Sequence, residues 1–352
     1  MKTLVLTGGG TAGHCLPNIA LIPELKKYFD KIIYIGSKNG LEKNLAEENG
    51  LDFYAIPCAK LNRNITIKNF AIPFSVVNGA IKAGKILDKI KPNVIFSKGG
   101  YVAVPVIYAG KKRKIPIISH ESDLSLGLAN KITAKHCEKV LTSFPETAKL
   151  LNNGLYVGSP LRQSLFTASK KDALKKFKLT GEKPVILITG GSLGSKTINK
   201  SVKDALPLLL DKFDVIHQCG KNNLEKIKTP KGYIQTEFIS DMNMAYACAD
   251  VCVCRAGSNT IFELIALKKP CVLIPLPKGA SRGDQVQNAE YFQKKGLVNV
   301  LPQSVLTPES LFNAITSSYA NRVNIRKTLE QNKIIYSNEK IAEILSNACE
   351  KN

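Results

Sequence analysis

Twice in this 352-residue chain a short apolar run ends in a glycine-rich turn and gives way to a helical pattern. The first turn is Gly8-Gly9-Gly10-Thr11-Ala12-Gly13-His14 and the second is Gly190-Gly191-Ser192-Leu193-Gly194-Ser195. A strand that stops in glycines lets backbone N–H groups come close to an anion, and the following helix adds the positive end of its dipole. Two such cradles about half a chain apart predict two ligands that meet.

Around these turns, short β-branched runs alternate with longer helical stretches. In the first half they are Thr3–Thr7, Ile32–Ile35, Phe53–Ile56, Val94–Ser97, Ile115–Ser119 and Val140–Ser143. In the second they are Val185–Thr189, Val215–Gln218, Ile234–Phe238, Val251–Cys254, Cys271–Pro275 and Val298–Leu301. This alternation predicts parallel sheets. The chain is longer than one core usually supports, and Val157-Gly158-Ser159-Pro160-Leu161-Arg162 reads as a turn between repeats. The expected architecture is therefore α/β, with two parallel-sheet domains at 1–162 and 163–335. A last helix within 336–352, with Ile341, Ile344 and Leu345 at helical spacing, is expected to dock back on the first domain.

Nine cysteines lack the paired spacing of zinc sites and sit in apolar runs such as Val251-Cys252-Val253-Cys254, which predicts reduced core residues. No apolar run is long enough to span a bilayer and the chain enters a strand directly, so a cytoplasmic protein is expected. The net charge of +22 calls for an anionic partner. Residues 60–114 carry twelve bases (Lys60, Arg63, Lys68, Lys82, Lys85, Lys89, Lys91, Lys98, Lys111, Lys112, Arg113 and Lys114) against the single acid Asp88. Phe70, Phe74, Val77 and Ile81 recur there at the spacing of one helical face. Such a stripe either packs on the sheet beside solvated lysines or lies on an anionic membrane. Nucleic acid is disfavoured, because the segment has few aromatics for stacking and matches no binding module.

Neither glycine turn is a clean GxGxxG, and no acid closes a second strand where a dinucleotide's ribose would need one. No GxxxxGK[ST] string is present either. A further cluster runs from Asp250 through Arg255, Gly257 and Ser258 to Glu263, from strand through a small turn into a helix. There the Glu263 carboxylate is placed either to grip paired sugar hydroxyls or to serve as a surface glutamate. Downstream, Ser281-Arg282-Gly283-Asp284-Gln285 opens another helix after Pro275-Leu276-Pro277, again presenting amides at one sheet edge.

With these motifs in this order, and with Ser97-Lys98-Gly99-Gly100-Tyr101, His120-Glu121-Ser122-Asp123 through Asn130, Gly158-Ser159-Pro160-Leu161-Arg162 and Thr236-Glu237-Phe238-Ile239, the chain resembles glycosyltransferase family 28 from end to end. The resemblance implies the GT-B fold, α/β with two Rossmann-like parallel-sheet domains facing a central cleft. It also implies inverting transfer of N-acetylglucosamine from UDP-N-acetylglucosamine to undecaprenyl-diphospho-muramoyl-pentapeptide (lipid I to lipid II), in peptidoglycan synthesis. Matched motif by motif, it assigns donor binding to Thr11, Gly13, Arg162, Gly191, Ser192, Leu193, Gly194, Ile239, Arg255, Ser258, Glu263 and Gln285. Acceptor binding falls to Gly9, Gly10, Gly99, Gly100, Tyr101, Glu121, Asp123 and Asn130. A peripheral position on the cytoplasmic face of the bacterial membrane follows from the lipid acceptor and the basic segment. The chain has Ala12 where many members have glycine, Asp123 where some have asparagine and Asp284 where some have glutamine.

Such a transfer needs charge stabilised on the leaving diphosphate, which loop amides and helix dipoles supply. No Asp-x-Asp string is present to bridge a diphosphate through metal, and no cofactor is expected. It also needs a base for the acceptor hydroxyl. His14, at the exit of the first glycine turn, is the candidate because histidine ordinarily titrates near neutral pH; as a lone histidine it would serve equally as a cap. Of the others, His120 sits at a strand end, His136 reads as helical and exposed, and His217 as core. The competing readings are a relative with another lipid acceptor, a nucleotide-sugar epimerase of the same fold, and a non-catalytic protein that binds polyprenyl lipid or anionic membrane.

Overall fold

The computed structural model describes residues 1–59, 72–225, 230–279, 281–332 and 337–350. The chain divides into two compact units, one made of Met1–Arg162 with Ile335–Asn352 and the other of Gln163–Ile334.

The first unit holds seven strands: β1 (Thr3–Thr7), β2 (Lys31–Ser37), β3 (Asp52–Ile56), β4 (Val94–Ser97), β5 (Ile117–Glu121), β6 (Lys139–Thr142) and β7 (Gly154–Tyr156). They lie in the order β3-β2-β1-β4-β5-β6-β7, all parallel. Strand side chains alternate between faces. Leu4 and Leu6 of β1 join one core with Leu21, Leu25, Tyr34 and Phe96, and Val5 joins the other with Ile33, Ile95, Val106 and Leu87. Burial on both faces explains why these strands read as continuous apolar runs. The helix Asn338–Cys349 adds Ile341 and Leu345 to the first of these cores. Its entry is fixed by Asn338, whose Nδ2 donates to Leu161 O (2.7 Å) and Ala20 O (3.1 Å) while its Oδ1 accepts from Leu161 N (2.9 Å).

The second unit holds β8 (Val185–Thr189), β9 (Asp214–Gln218), β10 (Tyr233–Thr236), β11 (Val251–Cys254), β12 (Cys271–Leu273) and β13 (Asn299–Val300). Their order β10-β9-β8-β11-β12-β13, again parallel, repeats that of the first six strands. In each sheet the strand order reverses beside the first strand, between β1 and β4 and between β8 and β11. In open parallel sheets that reversal opens the crevice where ligands bind, beyond the carboxyl ends of the strands.

The structure departs from the sequence reading in several places and, in one helix, decides between two readings. β5 runs two residues later than Ile115–Ser119, which brings His120 and Glu121 into the strand. β7 has only three residues, too short for a periodic signal. In the helix Ile72–Ile90 the packed face is Gly79, Ala83 and Leu87. A Cβ on Gly79 would stand 2.3 Å from Pro57 O, so small residues allow the close approach. The stripe of larger apolar residues points outward instead, with Phe74, Val77 and Ile81 exposed by 74%, 57% and 56%. Phe70, Lys60, Arg63 and Lys68 lie outside the described residues. Finally, Lys98 does not belong to the basic surface: it is buried. Arg113 also contributes less free charge, since its guanidinium forks onto Asp88 at 2.6 and 2.7 Å.

Candidate active site

In the first unit, β1 ends in Gly8, Gly9 and Gly10, and the helix Ala12–Leu25 begins after Thr11, its extended N-cap. Gly8 and Gly10 have φ of +142° and +89°. Ala12 is the first helical residue and has no positive φ, so the Cβ that replaces the usual glycine hydrogen costs nothing there. β4 ends in a second turn in which Gly99 and Gly100 have φ of +83° and +80°. A Cβ on Gly100 would stand 2.3 Å from Gly9 O and 3.0 Å from the His14 ring. The two turns therefore meet backbone to backbone, with His14 against them and the Tyr101 ring over Gly10.

His14 Nδ1 lies 3.1 Å from Lys98 O. A carbonyl only accepts, so Nδ1 carries the proton and Nε2 is the basic nitrogen of the ring. The residue that holds His14 by its carbonyl has its own side chain inside the unit. Lys98 Nζ donates to His120 Nδ1 at 2.9 Å and to Ser122 Oγ. His120 Nε2 in turn donates to Gly158 O at 3.0 Å. Burial pushes the Lys98 amine down to about 8, against the opposing pull of the Glu121 and Asp123 charges. Burial, and then the Lys98 charge, hold His120 well below the ordinary histidine range.

Glu121 is buried at the end of β5, and its carboxylate accepts from Asp123 N (3.1 Å), Gly127 N (2.8 Å) and Asn130 Nδ2 (2.9 Å). It organises the loop that follows. Asn130 is buried with its amide oriented by that contact, and its Oδ1, without a partner among the described residues, would lie 3.2 Å from a Cβ on Gly99. An unmatched buried acceptor beside a glycine turn invites a donor from a ligand. Beneath the first turn, the buried Glu42 accepts from Ser37 N at 2.9 Å and from Cys15 Sγ at 3.7 Å, and leaves no room for a Cβ on Gly9, Gly36 or Gly40.

In the second unit, β8 ends in the Gly190–Gly194 turn, and Ser195 caps the helix Lys196–Lys212 by accepting from Ile198 N. Gly194 at φ +75° cannot carry a Cβ, which would stand 1.9 Å from Cys219 O. Gly191, Ser192 and Leu193 are exposed at the tip. Arg255, half-buried after β11, donates to Ser195 Oγ (2.7 Å), Ile274 O (3.1 Å) and Pro275 O (3.4 Å), tying three strand ends together; burial lowers its pKa. Ser258 is buried as the first residue of the helix Ser258–Ala266. Glu263 sits on that helix with Oε2 accepting from Tyr246 OH at 3.1 Å. Gln285, near the start of the helix Asp284–Lys294, accepts from Leu276 N at 3.0 Å. Ile239 N–H is taken by Gln218 Oε1 at 2.9 Å.

The fold thus gathers the glycine turns, His14, Tyr101, Glu121, Asp123 and Asn130 at one sheet edge of the first unit. Gly191 to Gly194, Ile239, Arg255, Ser258, Glu263 and Gln285 gather at the matching edge of the second. Thr11, Gly13 and Arg162 belong to the first unit. Sequence reasoning missed Lys98 as an internal group, as well as Glu42, Gln218 and Tyr246. Only Lys98 carried a signal, a lysine directly between a buried strand and a Gly-Gly turn. His136 is half-buried rather than exposed, its ring 5.0 Å from that of Tyr108. His217 is core, held by Tyr233 OH and Asn199 Oδ1. Among the described residues no helix is long and apolar enough to cross a membrane.

The models of the glycosyltransferase family 28 N-terminal and C-terminal domains match residues 4–142 and 185–345. A protein of Clostridium novyi (strain NT) is 44% identical over 348 residues, 97% of each chain. It is named UDP-N-acetylglucosamine–N-acetylmuramyl-(pentapeptide) pyrophosphoryl-undecaprenol N-acetylglucosamine transferase. A protein of the same name from Clostridium perfringens (strain SM101 / Type A) is 46% identical over 335 residues, 94% of each chain. The crystal structure of Acinetobacter baumannii MurG superposes with a TM-score of 0.75 at 25% identity, covering 99% of this chain and 100% of that one. UDP-GlcNAc 2-epimerase from Neisseria meningitidis, bound to UDP-GlcNAc, shares the fold with a TM-score of 0.70 at 14% identity over the whole of both chains.

Proposed function

Because the chain belongs to glycosyltransferase family 28, we propose that it transfers N-acetylglucosamine from UDP-N-acetylglucosamine to the muramoyl-pentapeptide of pyrophosphoryl-undecaprenol, with inversion at the sugar. The observation that carries this reading is a likeness of 44 to 46% to two relatives of that name, spread over both units.

The second unit takes the donor. Ile239, its N–H already used, meets uracil with its carbonyl, and Glu263 takes the ribose hydroxyls while Tyr246 steadies its other side. The Ser192 and Leu193 amides at the exposed tip of the Gly190–Gly194 turn receive the diphosphate at the amino end of the helix Lys196–Lys212, and the Arg255 charge lies among the same strand ends. Gln285 reaches the sugar.

The first unit takes the acceptor, with its diphosphate at the Gly9, Gly10, Gly99 and Gly100 turns and Tyr101 beside them. Asn130 Oδ1 accepts from an acceptor N–H or O–H, and Glu121 and Asp123 shape that loop. His14 Nε2 removes the acceptor hydroxyl proton as the oxygen bonds to the anomeric carbon and the bond to UDP breaks with its electron pair. The Nδ1–H bond to Lys98 O holds the ring in the basic tautomer, and the imidazolium that forms keeps that bond. Negative charge growing on the departing diphosphate is met by the turn amides and the helix dipole.

The enzyme attaches peripherally to the cytoplasmic membrane face. What supports this is the outward stripe of Phe74, Val77 and Ile81, flanked by exposed Lys82, Lys85 and Lys89.

A radiolabel transfer assay with UDP-N-acetylglucosamine and a short-chain lipid I analogue tests the reading. Label should move to the lipid only when both are present. Release of UDP without acceptor, or transfer to an unrelated lipid alone, would overturn it.

A further inference from the structure

Gln218 ends β9, the strand between β8 and β10, and its side chain is buried at 4% exposure. Its carboxamide is used at both ends. Nε2 donates to Gly191 O at 3.1 Å and to Thr189 Oγ1 at 3.4 Å, and Oε1 accepts from Ile239 N at 2.9 Å. The same Thr189 hydroxyl accepts from Gly191 N at 3.1 Å, and Gly191 O also accepts from Gly194 N at 3.0 Å. One planar group thus joins the turn after β8 to the turn after β10. Donor and acceptor atoms of an amide have a fixed separation and a common plane, so the two turns cannot drift apart while both bonds stand.

We infer that Gln218 is a positioning residue that sets the spacing between these turns, so that a single nucleoside diphosphate engages both at once. The inference rests on the donor site proposed above, in which one turn meets the diphosphate and the other the base. A ligand that touches two subsites gains from the second in proportion to how well their separation matches its own length. Gln218 touches no ligand; it supplies that match.

Dissociation constants for uridine and UDP, measured by ligand-observed NMR on the full chain, test it. In Gln218→Leu, UDP should weaken tenfold or more while uridine, which needs only one turn, stays within about threefold. Gln218→Glu adds a signature that a purely structural side chain lacks. As a carboxylate it still accepts from Ile239 N but repels Gly191 O. Once protonated it regains a donor for Gly191 O and an acceptor for Ile239 N. Its UDP affinity relative to the wild type, a ratio in which the protonation of UDP itself cancels, should rise as the pH falls from about 8 to about 5. If Gln218→Leu does not fold, this recovery in acid decides the matter.

Equal weakening of uridine and UDP overturns the inference. So does a ratio for Gln218→Glu that does not change with pH. Glu263→Ala, titrated in parallel, separates the two levels. If it weakens UDP while both Gln218 variants bind as the wild type does, the positioning role falls and the donor site stands. If Glu263→Ala leaves UDP and uridine unchanged, the donor-site reading falls.

Discussion

Lys98→Met keeps the length of a buried side chain and removes its ammonium, and the effect on stability follows from where that amine titrates. Folding lowers its pKa from the ordinary 10.5 to about 8, chiefly because it is buried. Below about 8 both folded and unfolded chains hold the proton, and the cost of burying the charge is fully present. Between the two values the unfolded chain still binds a proton that the folded chain has released, so wild-type stability rises with pH across that window. The gap of about 2.5 units, at about 1.4 kcal/mol each, amounts to about 3 kcal/mol. The variant also leaves His120 Nδ1 without its donor, at a cost of about 1 to 3 kcal/mol, which shifts its absolute stability but adds no slope in this range. Urea unfolding of both proteins, followed by circular dichroism with each transition fitted separately, gives the difference curve, in which titrations common to both cancel. Wild type minus Lys98→Met should be level between about pH 7 and pH 8, above the range in which His120 responds to the lost charge, and climb by about 3 kcal/mol toward about pH 10.5. A difference that is flat throughout, or that falls as pH rises, would show that the amine is not held below its ordinary range and would refute the reasoning.

His14→Ala should lower kcat by about 10² to 10⁴ while leaving UDP-N-acetylglucosamine affinity nearly intact, and a folded His14→Gln that keeps the rate within a few-fold would exclude His14 as the base. Glu263→Ala should weaken donor binding about tenfold or more by calorimetry, through loss of charge-assisted hydrogen bonds. Gly191→Ala, with open space around its Cβ, should cost about 1 to 2 kcal/mol for the left-handed backbone alone, whereas the Cys219 carbonyl should make Gly194→Ala cost several times that in urea melts. Binding to anionic vesicles should fall with added salt without vanishing, and Phe74→Ser with Val77→Ser should remove the salt-resistant part; a double variant that sediments like the wild type would place membrane contact elsewhere.

The parallel sheets were legible because strands buried on both faces, such as Leu4-Val5-Leu6, announce themselves as unbroken apolar runs bounded by glycine. β7 was not, because three residues hold no period. The side taken by Phe74, Val77 and Ile81 stayed open between packing and exposure, because the stripe alone fits both; packing selected Gly79 and Ala83, whose lack of bulk lets the helix approach Pro57. The glycine turns and the strand-to-helix turn from Arg255 to Glu263 could be read as turns because their backbone pattern is local. Glu42 and Gln218 could not, and Lys98 only as a lysine set between a buried strand and a Gly-Gly turn, since each draws its meaning from partners distant in sequence: Lys98 from His120 and Ser122, Glu42 from Gly9 and Cys15, Gln218 from Gly191 and Ile239.

The return of the helix Asn338–Cys349 to the first unit separates the order of synthesis from the order of completion. Gln163–Ile334 is one uninterrupted stretch and can finish its core as soon as it has been translated. The unit that begins the chain cannot, because Ile341 and Leu345 are still missing from the core beneath Leu4 and Leu6, and Asn338 is not yet there to hold Leu161. Until then the apolar side of the helix Ala12–Leu25, which carries the Gly8–His14 turn at its head, lacks part of its cover. Domains generally fold in the order in which they are made; here the unit made first is the last to close, and a chain that has emerged past Ile334 but not yet to Asn338 holds a complete second unit and an incomplete first.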